Sequence, residues 1–220
     1  MRLSVSLLFC SALFTLAVSA CGSSDSALGD QPTLTGQLDG WNRGTGFTLQ
    51  ASVLKASSPP LSTVIASAPI DAAGNFSITL PGSATLTPLL TTQHVDQTQM
   101  LASCSGNVQV TPSDFAAAAA FFTAVNGTST LSVTLSNGVS GNTSGLQIIA
   151  GYTYVDRDFS EVGTLTCNAS GAMQQSTADV HLKTGWNREV LSLMLDTAAG
   201  MITSSTSTGP LPDGVKWMFK

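Results

Sequence analysis

Leu146-Gln-Ile-Ile-Ala-Gly-Tyr-Thr-Tyr154 is the stretch that decides the fold class. Leu146, Ile148, Ala150, Tyr152 and Tyr154 recur at every second position. A period of two over this length is the mark of a strand with one buried face. The same beat runs through Leu34, Gly36 and Leu38, then Phe47, Leu49, Ala51 and Val53, then Phe76, Ile78 and Leu80, and then Leu131, Val133 and Leu135. Further strands are expected at 64–70, 108–110, 162–167, 178–182, 190–195 and 215–219. About ten short strands separated by turns predict a mainly β chain, an antiparallel β-sandwich in one lobe or two.

One departure from this pattern is expected. Thr111-Pro112-Ser113-Asp114 has the form of a helix start, with Thr at the N-cap, Pro at the first turn and an acid at the third position. Ala116 to Ala120 are strong helix formers, and Asn126-Gly127 reads as a stop. Residues 112–125 are therefore predicted as one short helix packed on a sheet, with Phe115, Phe122 and Val125 on one face. The polar run 136–145 is the expected boundary between an N-terminal β lobe, 32–138, and a C-terminal β lobe, 146–220. Gly40-Trp-Asn-Arg43 recurs as Gly185-Trp-Asn-Arg188. Each copy lies between alternating segments and is expected to form a hairpin loop; a duplicated lobe is one explanation and two locally packed Trp residues another.

Composition narrows the class. Charged residues make up 10% of the chain, against about 25% in an average soluble protein. Ser and Thr, 56 of 220 residues, take their place. Hydroxyls in place of charges suit the solvent face of β-strands. A formal charge of −5 argues against nucleic acid as a partner, which calls for clustered Lys and Arg.

The first 20 residues are of another kind. Arg2 is followed by an apolar run containing Leu7, Leu8, Phe9, Leu13, Phe14, Leu16 and Val18. It is too short and too interrupted for a membrane span, which needs about 20 mostly apolar residues, and it has the form of a secretory leader, 1–20. It ends in Val18-Ser19-Ala20-Cys21, which resembles the lipobox of bacterial lipoproteins. That resemblance implies acylation of Cys21, cleavage before it, and anchorage in the cell envelope; Gly22 implies the outer membrane. Acyl chains contribute about 0.8 kcal/mol per buried methylene, and several together anchor stably where one does not. Residues 21–31, rich in Ser and Gly, read as a flexible tether. Ile70-Asp-Ala-Ala-Gly-Asn-Phe-Ser-Ile-Thr-Leu-Pro81 is similar to a hairpin of transthyretin-like and carboxypeptidase-regulatory-like β-sandwiches. That similarity implies a sandwich and no activity.

Residues for chemistry are sparse. Asp156, Asp158 and Glu161 form an acidic group of a kind that can hold Ca²⁺, but Arg157 sits inside it and ion-paired turns explain it better. His94 and His181 are the only histidines. A hydrolase would require one of them beside a carboxylate in a cleft, and no Gly-x-Ser-x-Gly is present. No metal or cofactor is expected. Trp41, Trp186, Tyr152 and Tyr154 read as sandwich core, or alternatively as a patch for a glycan or an envelope protein. The expectation is a non-catalytic, lipid-anchored protein that binds or supports, with a lipid-anchored hydrolase as the alternative.

Two thiols are left once Cys10 departs with the leader and Cys21 is acylated. Export to an oxidising compartment then predicts a disulfide between Cys104 and Cys167.

Overall fold

The computed structural model describes residues 27–55, 61–102, 104–138, 145–169, 172–196 and 201–220. The expected leader, Cys21 and the first part of the expected tether lie outside these residues. The chain is mainly β. Its strands are β1 (Ala27–Gly29), β2 (Thr33–Gln37), β3 (Thr48–Lys55), β4 (Leu61–Pro69), β5 (Asn75–Thr79), β6 (Thr91–His94), β7 (Cys104–Thr111), β8 (Asp114–Asn126), β9 (Ser129–Ser136), β10 (Leu146–Val155), β11 (Phe159–Ala169), β12 (Ala172–Leu182), β13 (Gly185–Asp196), β14 (Met201–Thr208) and β15 (Lys216–Phe219). The helical pieces are short: α1 (Ser83–Leu86), a 3-10 turn over Thr87–Leu89, and α2 (Gln97–Ala102).

Thirteen strands form one sheet whose main path runs β4-β3-β8-β9-β10-β13-β14-β12-β11-β7, while β2 and β5 form a small second sheet. The small sheet is stacked on the large one as a sandwich. Leu34, Phe76 and Ile78 from β2 and β5 pack with Leu49, Phe122, Val133, Tyr152, Trp186 and Trp217 from the large sheet in one buried cluster. Aromatic edges hold its centre: Trp217 meets Phe76 and Phe122 edge-on, with ring centroids 5.2 and 5.1 Å apart. The alternation seen at Ile148, Ala150, Tyr152 and Tyr154 is the core-facing side of β10. Gly36 is required here. A Cβ at that position would lie 2.5 Å from the Trp217 ring and 2.8 Å from Phe76.

Four expectations are corrected. Residues 112–125 are not a helix: Asp114–Asn126 is a strand of 13 residues, the longest among the described residues. It is paired on both edges, by β6 and β3 on one side and by β10 and β9 on the other. Helix propensity is a weak prior against this many ladder bonds. Asn126-Gly127 ends no helix but turns the β8–β9 hairpin, with Gly127 at φ +57°. The expected tether ends earlier than 31. Ala27–Gly29 pairs with β13, and the Asp30 carboxylate accepts the Ser83 N–H at 2.8 Å.

Residues 70–81 form a tight turn but not a hairpin. Asp71 Oδ1 accepts the N–H groups of Ala73 and Asn75 at 2.8 Å, and Gly74 takes φ +85°. The strand that follows pairs with β2, whereas the one before pairs with β3. The Gly-Trp-Asn-Arg copies are not hairpin loops either. Residues 40–43 lead from the small sheet to the large one, and Gly185 opens β13, which is separated from β12 by β14. Strands from both sides of the 136–145 run are neighbours in the large sheet: β8 pairs with β10, and β9 with β15.

Candidate functional site

The face of β10 opposite the core carries Ile149, Gly151, Thr153 and Val155. Register extends this face across the sheet, because directly opposed residues share a side. On β8 it carries Ala117 and Ala119, and on β13 Asn187, Glu189 and Leu191. β14 adds Ser204 and Thr206, β12 adds Ser176, Ala178 and Val180, and β11 adds Phe159, Glu161 and Leu165. The sheet curls so far that Val108 of β7 and Phe115 of β8 line the same hollow. The Phe115 and Phe159 rings meet at 4.1 Å, and Val155, Val180 and Leu182 fill the space around them. Gly106 and Gly163, at φ +142° and +145°, belong to the tight β7–β11 ladder; a side chain at either would strike the opposing backbone.

Two adjoining hollows result, of about 430 and 460 Å³, sharing Ala119, Thr153, Glu189 and Thr206. Each lies in the size range of small-molecule sites. The first opens at a fork. On one edge β10 pairs with β9 up to Ala150 and with β8 from Tyr152 onward, so Gly151 pairs with neither. A Cβ at Gly151 would have nothing within 4 Å. Gly151 is directly opposite Glu189 on β13, which leaves the Glu189 side chain uncovered from that side. Phe121, 49% exposed, stands at the lip.

Glu161 and Glu189 are the only carboxylates lining the cleft, and no Lys, Arg or His lines it among the described residues. Burial pushes the pKa of Glu189 up; the Thr153 hydroxyl hydrogen-bonds to it and partly offsets this, and the charge of Glu161 raises it further. Burial also raises Glu161. Arg188, the nearest cation in sequence, is on the opposite side of β13. Its Nε donates to the Gly209 carbonyl at 2.8 Å, and it also hydrogen-bonds to the Tyr152 hydroxyl in the core.

The structure separates the residues singled out in the sequence. Asp156 pairs with Arg157 at 2.8 Å and accepts the Ala116 N–H at 2.8 Å, and these bonds hold its pKa low, Arg157 first. Asp158 takes the Lys183 ammonium at 2.9 Å and the Thr184 N–H at 2.9 Å, and is held down to about 2 by these partners. Glu161 faces away from both, into the cleft. No group of three metal-binding side chains exists among the described residues.

His94 Nδ1 meets Asp114 at 2.7 Å, and this carboxylate raises the imidazole pKa. His181 lies between Ser160, at 3.2 Å, and Asp179, at 3.3 Å. Both histidines sit on open surface and line neither cleft hollow. Trp186 is fully buried and donates to the Pro81 carbonyl at 2.8 Å, while Trp41 packs edge-on against Phe47 and Phe219. Tyr152 and Tyr154 are also core residues, so these four form no surface patch. Cys104 and Cys167 face each other in the β7–β11 ladder with Cα atoms 4.3 Å apart and are joined as a disulfide.

Sequence reasoning missed Glu189, Gly151, Thr153 and the hydroxyls of β14. One signal was available: counting by twos from Trp186 places Glu189 opposite the core. No family model, curated protein or solved structure matches the chain.

Proposed function

We propose that this chain is a lipid-anchored cell-envelope protein, acylated at Cys21, whose β ectodomain binds a small molecule in the curled sheet's cleft. The observation that carries the reading is the uncovered space at Gly151, facing Glu189 within apolar walls. Sheets that serve only as support fill such a space with side chains, since interiors are close-packed. Apolar walls with a few convergent polar groups are the usual composition of a ligand site. The alternative reading, a hydrolase, is favoured by one observation, the Ser160–His181–Asp179 chain. It lies on an open sheet face whose backbone N–H groups are engaged in strand pairing, which leaves no evident oxyanion donors.

Gly151→Phe tests the binding reading. The backbone there is ordinary extended strand, and the new ring would enter open space. Organic extracts of the purified exported protein should contain a bound small molecule that extracts of the Gly151→Phe protein lack. Identical extracts from two folded proteins would overturn the reading.

A further inference from the structure

We infer that the cleft takes a small amphiphilic amine, with its protonated nitrogen held between Glu161 and Glu189 and its apolar body along the walls of the two hollows. The inference rests on the binding reading above and adds the ligand's chemistry.

Charge complementarity carries it. Two carboxylates share one lining, and nothing cationic among the described residues shares it with them. Lys55 lines a different depression, one that shares Ala119 and Phe121 with the first hollow and Gln93, Ala117 and Ala119 with the second. A carboxylate in such surroundings is poorly solvated and gains most from a cation that enters with a ligand. An anionic amphiphile would meet two like charges in low-dielectric surroundings and be rejected. Thr153, Ser176, Ser204 and Thr206 supply hydroxyl oxygens as further acceptors for an ammonium's three N–H bonds. Most of the remaining lining is apolar, with Val108, Phe115, Leu165 and Leu191 among it, and suits a hydrocarbon body; Gln93, Ser132, Thr134 and Thr177 are its other polar members and carry no charge. Gly151 leaves the entry beside Glu189 open, so the nitrogen can approach without moving the backbone.

The test uses the full chain carrying Cys21→Ser, a position outside the described residues. It is titrated calorimetrically with decylamine, decanol and decanoate, three probes of one chain length and different charge. Decylamine should bind at least tenfold more tightly than either of the others. Glu189→Gln and Glu161→Gln should each weaken decylamine at least tenfold and leave decanol within twofold. If one variant fails to fold, the other decides the matter. Equal affinity for all three probes would overturn the amine assignment while leaving a binding cleft. Loss of decylamine binding in Gly151→Phe with no response to either Gln substitution would do the same. Absence of binding by every probe to the unsubstituted chain would remove the amine assignment, and the extraction experiment would then judge the binding reading by itself.

Discussion

Glu189 is an acid in a place that resists its ionisation. Its ordinary pKa is near 4.5, and burial raises it in the folded chain. Below the ordinary value both folded and unfolded chains hold the proton, and folding carries no penalty. As pH rises through that value the unfolded chain ionises freely and the folded chain does not. Stability therefore falls until the pH passes the folded pKa. Glu161 is the only other carboxylate facing it in the cleft among the described residues, and its charge acts in the same direction. Glu189→Gln removes this cost. Its melting temperature should exceed that of the unsubstituted chain by a few degrees at pH 7–8 and match it at pH 4. An equal difference at both pH values, or none at either, would show that ionisation of Glu189 is not the source.

Among the elements, β7 is one of the two strands that end the main sheet path, the other being β4, and it is the one carrying a covalent fastening. It is the last strand of the sheet path, with β11 as its paired neighbour. Side-chain help comes from Gln97, which donates to the Val108 carbonyl at 3.1 Å. The disulfide closes a loop of 63 residues in sequence separation. On the chain-entropy argument such a closure stabilises by about 4 kcal/mol. The double substitution Cys104→Ala with Cys167→Ala should lower the melting temperature by roughly 10 °C. It should also speed amide exchange in β7 before β10 and β13. An unchanged melting temperature would mean that the ladder alone fixes the edge. The element next to the disulfide in interest is β8. Its Ala116–Ala120 run has high helix propensity and almost no apolar bulk, yet it forms strand. Alanines 118 and 120 face the aromatic core, and alanines 117 and 119 face the cleft, so small side chains are needed on both sides.

At the scale of the whole molecule, the proposed attachment and the proposed binding rest on different parts of the chain. The described residues begin at Ala27, six residues beyond the proposed anchor at Cys21. Cys21→Ser should move the protein from the membrane fraction to the soluble extracytoplasmic fraction, and its melting temperature should stay within a degree or so, as expected of an anchor whose loss removes no packing. A Cys21→Ser protein that still partitions into detergent would overturn acylation as the anchor.

The sequence by itself determined which residues alternate, and so that the chain is mainly β and which side chains of β3, β5, β9 and β10 form the core. Period two is a local property, set by the geometry of a strand, and needs no knowledge of partners. Tertiary structure alone decided the rest. β14, Met201–Thr208, carries Ser and Thr on both faces and gives no apolar beat, yet it lies inside the sheet, antiparallel to β13 and parallel to β12. The helix reading of 112–125 failed because intrinsic propensity is worth tenths of a kcal/mol per residue, whereas pairing along most of both edges satisfies the majority of the strand's backbone groups. Asn126-Gly127, a strong hairpin signal, was the local sign against it. The cleft is still less legible. It exists because β10 exchanges partners at Gly151 and because β7 curls round to β8, and both depend on pairings between residues far apart in sequence. Glu161 and Glu189 become neighbours only through that curl, which no spacing along the chain records.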